Sequence, residues 1–276
     1  MKVRIALAQA ESEVGDVPAN LRTAVDLIGR AGQAKADVVL FCELFLQGCL
    51  VEADFVRTAV PSGDEVVRQL SETAHANDLS VVIGTARRED QFPYNVYNSA
   101  AVVSPSGFLG FYDKLQVANY ATYNEALSFA RGTWLKTFDL PFGRIGVCIC
   151  YDIMFPEVSL ALALNGAVLQ LVPSAGGAEF ESDWDALLTV RSKENQVFLA
   201  YCNAVGKQGS DVFIGRSRVV GPDGRARGQA AERGAAALTF VDIDLDDVRT
   251  ERYKRPIFRD RPTLAAATRA FGGGAG

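Results

Sequence analysis

Histidine is the residue type that this sequence has least of. There is one in 276 residues, His75. With one histidine and no cysteine cluster, a zinc site with the usual ligand sets is not expected. A Ser-His-Asp or Cys-His site would have to use this single residue. His75 lies in residues 71–78, which predict the end of a helix, where a surface histidine is expected. We therefore expect no metal site, and proton transfer at any catalytic site by another kind of side chain.

Cysteine is sparse and odd in number, which argues against a disulfide framework. The sequence has five, at Cys42, Cys49, Cys148, Cys150 and Cys202. A single residue separates Cys148 from Cys150, so they are not a redox Cys-x-x-Cys pair. We expect free thiols.

Long apolar runs and excess positive charge are also missing. The net charge is −5, so no global basic field would recruit nucleic acid or anionic lipid. No apolar run approaches the roughly 20 residues that span a bilayer, and the start of the chain becomes acidic too soon for a signal peptide. Acidic residues interrupt the basic cluster at 249–261, which predicts a solvated or intersubunit segment. We expect a soluble, cytoplasmic protein with neither nucleic acid nor membrane as partner.

The first half of the chain alternates between strand and helix patterns. Residues 2–9 alternate apolar and polar side chains, as a half-buried strand does. Residues 37–42 are continuously apolar, which is typical of a strand covered on both faces. A helix is predicted at 64–77 and a hairpin at 97–112, with its turn at Ser104-Pro105-Ser106-Gly107.

The second half repeats this alternation. Residues 144–150 predict a strand, and Pro156-Glu157 begins a helix that ends near residue 164. Further strands are predicted at 168–172, 197–203, 213–221 and 237–243, and further helices at 184–196 and 244–253. The pattern predicts an α/β fold with a mixed sheet and outer helices. We expect a single domain over residues 1–270 and a flexible glycine-rich tail at 271–276.

Three side chains in this pattern could carry chemistry. Glu43 follows the buried strand 37–42, and Lys114 leaves the hairpin. Cys150 lies where a strand turns into a helix, and a helix N-terminus favours the thiolate form. Taken singly, Glu43 and Lys114 are more often solvated, and Cys150 is as often a buried inert thiol as a nucleophile.

Read together, the three segments resemble the nitrilase superfamily of carbon–nitrogen hydrolases. The motifs are Cys42-Glu43-Leu44-Phe45, Tyr112-Asp113-Lys114-Leu115-Gln116 and the segment that begins Ile149-Cys150-Tyr151-Asp152. Six further segments follow the family pattern in order, at 98–100, 125–132, 191–196, 203–206, 215–224 and 259–262. Each motif is weak alone, but their order is specific, and the resemblance covers residues 3–262.

The resemblance implies a four-layer α-β-β-α sandwich that forms a homodimer or a larger homo-oligomer. It also implies an amidase that cleaves a small amide or carbamoyl compound through a cysteine thioester, without a cofactor. Glu43 would be the base and Cys150 the nucleophile. Lys114 and the backbone N–H of Tyr151 would stabilise the oxyanion, and Glu125 would orient Lys114 and the substrate.

Some positions depart from the family pattern and leave the substrate open. Cys42, Cys49 and Gln116 stand where proline, tyrosine and histidine are common, which puts the pocket shape in question. Ile153 and Met154 occupy a stretch where relatives that bind a carboxylate often have arginine, so a neutral or amine-bearing amide is favoured. A true nitrilase, an amide synthase or acyltransferase, and a non-catalytic scaffold of the same fold are the alternatives.

Overall fold

The computed structural model describes residues 1–49, 55–120, 123–230 and 234–261. The glycine-rich tail predicted at 271–276 lies outside the described residues. That tail and the single domain over 1–270 therefore stay predictions.

The described residues form fourteen strands and seven α-helices. The strands are β1 (Lys2–Gln9), β2 (Val38–Phe41), β3 (Ser80–Arg88), β4 (Val96–Ser104), β5 (Gly107–Asp113), β6 (Thr137–Leu140), β7 (Gly143–Val147), β8 (Leu169–Ser174), β9 (Phe198–Asn203), β10 (Val205–Gln208), β11 (Asp211–Ile214), β12 (Arg218–Val220), β13 (Ala226–Gln229) and β14 (Ala237–Asp244). The helices are α1 (Val17–Gln33), α2 (Phe55–Thr58), α3 (Glu65–Asn77), α4 (Pro156–Leu164), α5 (Glu181–Asn195), α6 (Asp246–Lys254) and α7 (Ile257–Asp260).

Two six-stranded mixed sheets share one strand pattern. The first has the order β14-β1-β2-β3-β4-β5 and the second the order β6-β7-β8-β9-β12-β13. In each sheet the three consecutive strands β1, β2 and β3, or β7, β8 and β9, run parallel, and antiparallel strands flank them. Helices α1 and α3 lie between the parallel strands of the first sheet in sequence, and α4 and α5 between those of the second.

The two sheets pack face to face with helices outside them. Leu7 and Leu40 of the first sheet share a fully buried cluster with Val147 and Leu171 of the second. Alternate side chains of the first sheet, such as Phe41, pack with α1 and α3 instead, because successive side chains of a strand point to opposite faces. Another cluster joins the outer face of the second sheet to α4 and α5. The predicted four-layer α-β-β-α sandwich is confirmed.

A third sheet has two strands and belongs to neither of the six-stranded sheets. It is the antiparallel hairpin of β10 and β11, and Phe213 of β11 forms an isolated bridge with Gly177. The continuous strand predicted at 213–221 is wrong. The chain leaves the extended conformation at Gly215 and Arg216, whose φ angles are 67° and 63°, and the strand divides into β11 and β12.

Most other predicted elements are confirmed with shifted ends. Strand β1 has the predicted bounds, β4 and β5 form the predicted hairpin, and the side chain of Asp64 caps α3 by accepting a hydrogen bond from the Val66 N–H at 2.9 Å. The strand predicted to end at Cys150 ends at Val147. Strands β6, β10 and β13 were not predicted. Within the described ranges, no helix is both long and apolar enough to cross a membrane.

Candidate active site

Three predicted site residues come together at one cavity of about 440 Å³. Glu43 follows β2, Lys114 follows β5, and Cys150 begins a short 3-10 helix after β7. All three line the cavity. Parallel strands bring their carboxyl ends to one edge of a sheet, which is where open α/β folds bind ligands. Glu125 lines the same cavity.

A buried ion-pair network joins the charged residues. The Lys114 Nζ lies 2.6 Å from Glu43 Oε1 and 2.8 Å from Glu125 Oε1. Burial alone would lower the pKa of Lys114, but the two carboxylates hold the pKa well above its usual range. Burial, opposed by Lys114, raises the pKa of Glu125. Lys114 is therefore an ammonium group at neutral pH.

Backbone and amide groups fix this network in place. The Asn98 side-chain amide donates to Glu43 Oε1 at 2.7 Å, and the Asn98 backbone carbonyl accepts from the Lys114 backbone N–H at 2.8 Å. The Ala118 N–H donates to Glu125 Oε2 at 2.7 Å. Both carboxylates thus keep one orientation toward Lys114. Asn98 lies in a family motif at 98–100, but the motif alone does not predict this contact with Glu43.

The loop that carries Glu43 passes very close to β3. A side chain at Gly84 would place its Cβ 2.2 Å from the Cys42 carbonyl oxygen and 2.4 Å from the Leu44 nitrogen. Only glycine leaves room for this approach. Leu44 adopts a left-handed conformation with φ 51°, so the backbone turns sharply directly after Glu43.

The nucleophile candidate has an unusual backbone. Cys150 has φ 44°, a left-handed conformation that costs energy for a residue with a Cβ. Its thiol lines the cavity. Burial and the nearby Glu43 carboxylate raise the pKa of Cys150, although Lys114 opposes them. Burial is the largest of these influences, and the expected effect of the helix N-terminus on the thiolate stays a prediction.

Asp152 anchors the turn that presents this thiol. Its buried carboxylate accepts hydrogen bonds from the Ile149 N–H at 2.9 Å, the Tyr112 hydroxyl at 2.8 Å and the Gln116 N–H at 2.8 Å. Burial, opposed by these donors, raises the pKa of Asp152 to about 6. The carboxylate therefore ties the Cys150 turn to the Lys114 loop.

Arg191 anchors the other end of the same 3-10 helix. Its guanidinium donates to the carbonyls of Ile153 at 3.0 Å and Met154 at 2.9 Å. Tyr151 lies in the first turn, where an N–H has no carbonyl one turn earlier to bind. Tyr151 itself is not among the described residues that line the cavity, and its role as an oxyanion donor stays a prediction.

The described lining of the cavity does not include four residues considered above: Cys148, His75, Ile153 and Met154. Cys148 is fully buried in the cluster against α4 and α5. His75 is exposed on α3, with Nδ1 3.0 Å from the Pro105 carbonyl oxygen. Ile153 and Met154 are not among the described lining residues. The missing arginine therefore concerns positions that do not line the cavity, and the preference for a neutral or amine-bearing amide stays a prediction.

The three departures from the family pattern have different consequences. Cys42 packs with the outer helices, and Gln116 uses its backbone to bind Asp152. Cys49 lines the cavity, and its thiol donates to the Glu43 carbonyl at 3.5 Å. Of the three, Cys49 is the one that shapes the cavity.

Seven of the twenty described residues that line the cavity are aromatic, and the sequence did not predict this wall. The aromatic residues that line it are Phe55, Tyr120, Tyr123, Phe129, Phe180, Trp184 and Phe213. They come from separate segments, so no local pattern predicts the wall. Among the described residues, no group of three or more histidine, cysteine or acidic side chains is placed to hold a metal ion.

Comparison with known proteins decides the family. The model of the family described as carbon-nitrogen hydrolase matches residues 4–253. The chain belongs to the carbon-nitrogen hydrolase family. It is thus an enzyme of the class that the sequence motifs indicated.

Three similar proteins show the breadth of this family. A "probable nitrilase" of Schizosaccharomyces pombe is 29% identical, over 95% of this chain and 96% of the relative. An N-carbamoylputrescine amidase of Solanum tuberosum is 31% identical, over 89% of this chain and 88% of the relative. A crystal structure from Saccharomyces cerevisiae, of a member of branch 10 of the nitrilase superfamily, matches with a TM-score of 0.85 at 25% identity and covers 94% and 96% of the two chains.

Proposed function

We propose that this carbon-nitrogen hydrolase is an amidase that cleaves a small amide or carbamoyl compound through a thioester on Cys150. The observation that carries the proposal is the meeting of Glu43, Lys114 and the Cys150 thiol at one cavity, with Glu43 and Lys114 2.6 Å apart. The same three residues follow the family motifs in the sequence.

The first proton transfer is from the Cys150 thiol. Burial raises the pKa of this thiol, which supports a mechanism in which a base takes its proton as the sulfur attacks. Glu43 is the carboxylate in place to do so. The thiolate adds to the amide carbon, and the carbonyl oxygen becomes an oxyanion held by the Lys114 ammonium and the Tyr151 N–H.

The remaining steps return the enzyme to its starting state. Glu43 gives its proton to the amide nitrogen, the C–N bond breaks, and ammonia or an amine leaves. A water molecule then attacks the thioester while Glu43 accepts a proton, and that proton returns to the departing sulfur. The sum is amide plus water giving acid plus amine. Glu125 keeps Lys114 directed at the oxyanion throughout.

The relatives support an amide or carbamoyl substrate without fixing it. One is named as an N-carbamoylputrescine amidase. Another is named as a nitrilase, and a nitrilase would use the same three residues. The nitrile reaction is therefore the second candidate.

An ammonia-release screen over amides, carbamoyl compounds and nitriles tests the proposal. We expect release from at least one amide or carbamoyl compound, none from the Cys150→Ala variant, and a trapped acyl adduct on Cys150 by intact mass. Release from nitriles alone would favour the nitrilase. The homo-oligomer and the cytoplasmic location stay predictions, and light scattering would test the first.

A further inference from the structure

The charges that line the cavity are unequal. Among the described lining residues, three are acidic (Glu43, Glu125 and Asp211) and one, Lys114, is basic. Lys114 already pairs with Glu43 and Glu125. Asp211 has no ion pair with any residue in the described part of the chain. A carboxylate facing a cavity without a cationic partner favours a ligand that brings one.

The strand geometry directs Asp211 into the cavity. Asp211 begins β11, and Phe213, two residues later, shares its face of the strand. Both line the cavity, whereas Val212 between them is 56% exposed. The Ser210 hydroxyl donates to Asp211 Oδ1 at 3.3 Å, which leaves Oδ2 for a ligand.

The hairpin that carries Asp211 is held against the cavity wall. The side chain of Gln208, at the end of β10, accepts a hydrogen bond from the Cys49 N–H at 2.7 Å. Phe213 bridges to Gly177 on the other side. These contacts come from two separate loops of the sandwich, so Asp211 has a fixed place at the cavity.

The wall near this carboxylate also suits a cation. Phe180 forms ring contacts with Tyr120 and Tyr123, with centroids 5.7 and 6.1 Å apart. Burial raises the pKa of both tyrosines, so they stay neutral phenols. Aromatic faces attract an ammonium group and repel a carboxylate.

We propose that Asp211 selects substrates whose end distant from the scissile C–N bond carries an ammonium group. This inference rests on the proposed function and assigns its substrate class. The primary amine of such a substrate is protonated at neutral pH, and it would pair with Asp211 Oδ2 beside the aromatic wall. A carboxylate at the same end would meet Asp211 and Glu125 and no free cation among the described lining residues.

Three substrates of equal length test this selection. They share one carbamoyl group and end in an ammonium, a methyl or a carboxylate group. We expect kcat/KM for the ammonium substrate to exceed that for the methyl substrate at least about tenfold, with the carboxylate substrate slowest. In Asp211→Asn the preference should fall to within about threefold, through KM rather than kcat. Asp211→Arg should favour the carboxylate substrate.

A matched control separates the local effect from net charge. Asp183→Asn removes the same charge at an exposed position outside the described cavity lining, and it should keep the full preference. Added salt should weaken the preference in the wild type more than in Asp211→Asn, because salt screens the charge pairing.

Binding to an inactive variant keeps the test independent of turnover. Calorimetry with Cys150→Ala should show tighter binding of the ammonium compound than of the methyl compound, and equal binding when Asp211→Asn is added. Equal affinities with Asp211 present would overturn the inference even if the enzyme hydrolyses both compounds. Failure of every compound in the ammonia-release screen, with the binding preference intact, would instead overturn the proposed reaction.

Discussion

The two halves of the sandwich share one strand plan but carry different chemistry. In the first sheet Glu43 follows the second parallel strand, and Lys114 follows the last strand of the hairpin. In the second sheet the nucleophile candidate Cys150 follows the first parallel strand, and the segment after the second parallel strand places Ala175 at the cavity. The first half supplies Glu43 and Lys114 and the second supplies the thiol, so neither half alone holds the proposed machinery.

The order of the strands thus determines which side chains lie close together at the cavity. The residue type after each strand end determines whether that side chain supplies a charge or a nucleophile. The Asp152 carboxylate bridges the halves, since it accepts from the Gln116 N–H of the first and the Ile149 N–H of the second. Substitutions in one half, with the other half unchanged, therefore measure what each half contributes to turnover.

The largest effect should come from the thiol of the second half. Cys150→Ala should abolish measurable turnover, because the variant lacks the proposed nucleophile, and the other thiol at the cavity, that of Cys49, donates to the Glu43 backbone carbonyl. Cys148→Ala should keep most activity, since Cys148 is buried against α4 and α5. Steady-state kinetics and peptide mapping after iodoacetamide would check both. Inactivation with label on Cys148 alone would contradict the assignment.

The base of the first half should matter almost as much. Glu43→Gln is nearly isosteric but cannot accept the thiol proton, so turnover should fall below detection. A thermal melt should show that the variant folds. Glu157→Gln, exposed at the start of α4, is the matched control and should behave as wild type. Substantial turnover in folded Glu43→Gln would assign the base elsewhere.

The Lys114 ammonium group should contribute less to turnover than the Cys150 thiol or the Glu43 carboxylate. Lys114→Met removes one oxyanion donor, and loss of such a donor typically costs about 10²–10³ in rate, or roughly 2.7–4 kcal/mol. The loss should fall on kcat rather than KM. A near-normal kcat in folded Lys114→Met would remove this side chain from the mechanism.

The titration of Cys150 should respond oppositely to the two charged residues. Glu43 raises the pKa of Cys150 and Lys114 lowers it. The alkylation rate of the free enzyme should therefore rise into the alkaline range, with its midpoint lower in Glu43→Gln and higher in Lys114→Met. Iodoacetamide rates at several pH values, with mass spectrometry of the Cys150 peptide, would measure both. Shifts of the same sign would show that the two charges do not act on the thiol as the geometry indicates.

The smallest effect should come from the single histidine. His75 is exposed on α3 and outside the described cavity lining, so His75→Gln should leave kcat/KM within about a factor of two. The pH profile should also lack a limb that disappears with this variant. A hundredfold loss in a normally folded His75→Gln variant would overturn the histidine-free mechanism.

The sequence predicted Glu43, Lys114 and Cys150 because each follows a predicted strand or hairpin within a recognisable motif, and Glu125 because its segment resembles a family motif. Glu43, Lys114, Glu125 and Cys150 were expected together, and they line one cavity. The sandwich followed from the resemblance, and the strand and helix alternation was compatible with it.

Features that depend on packing between distant segments escaped the sequence. Asp152 was visible in the motif, but its bonds to Tyr112 and Gln116 depend on how the two sheets meet. The raised pKa of Cys150 reflects burial that no local pattern measures. Asp211 lies on the hairpin of β10 and β11, and the strand predicted at 213–221 included neither β10 nor Asp211, so its place at the cavity could not be foreseen.

The pairing of β14 with β1 bears on how the chain folds during synthesis. Residues 2–9 pair with residues 237–244 along their whole length, so one edge of the first sheet lacks its partner until nearly the whole sandwich has been made. At about 5–20 residues per second this interval lasts roughly 10–50 s. Throughout it, β1 presents unpaired backbone groups and the apolar side chains of Val3, Ile5 and Leu7, a template for pairing with other nascent chains. The β1 edge is thus the part of the first sheet that waits longest for its strand partner as the chain is made.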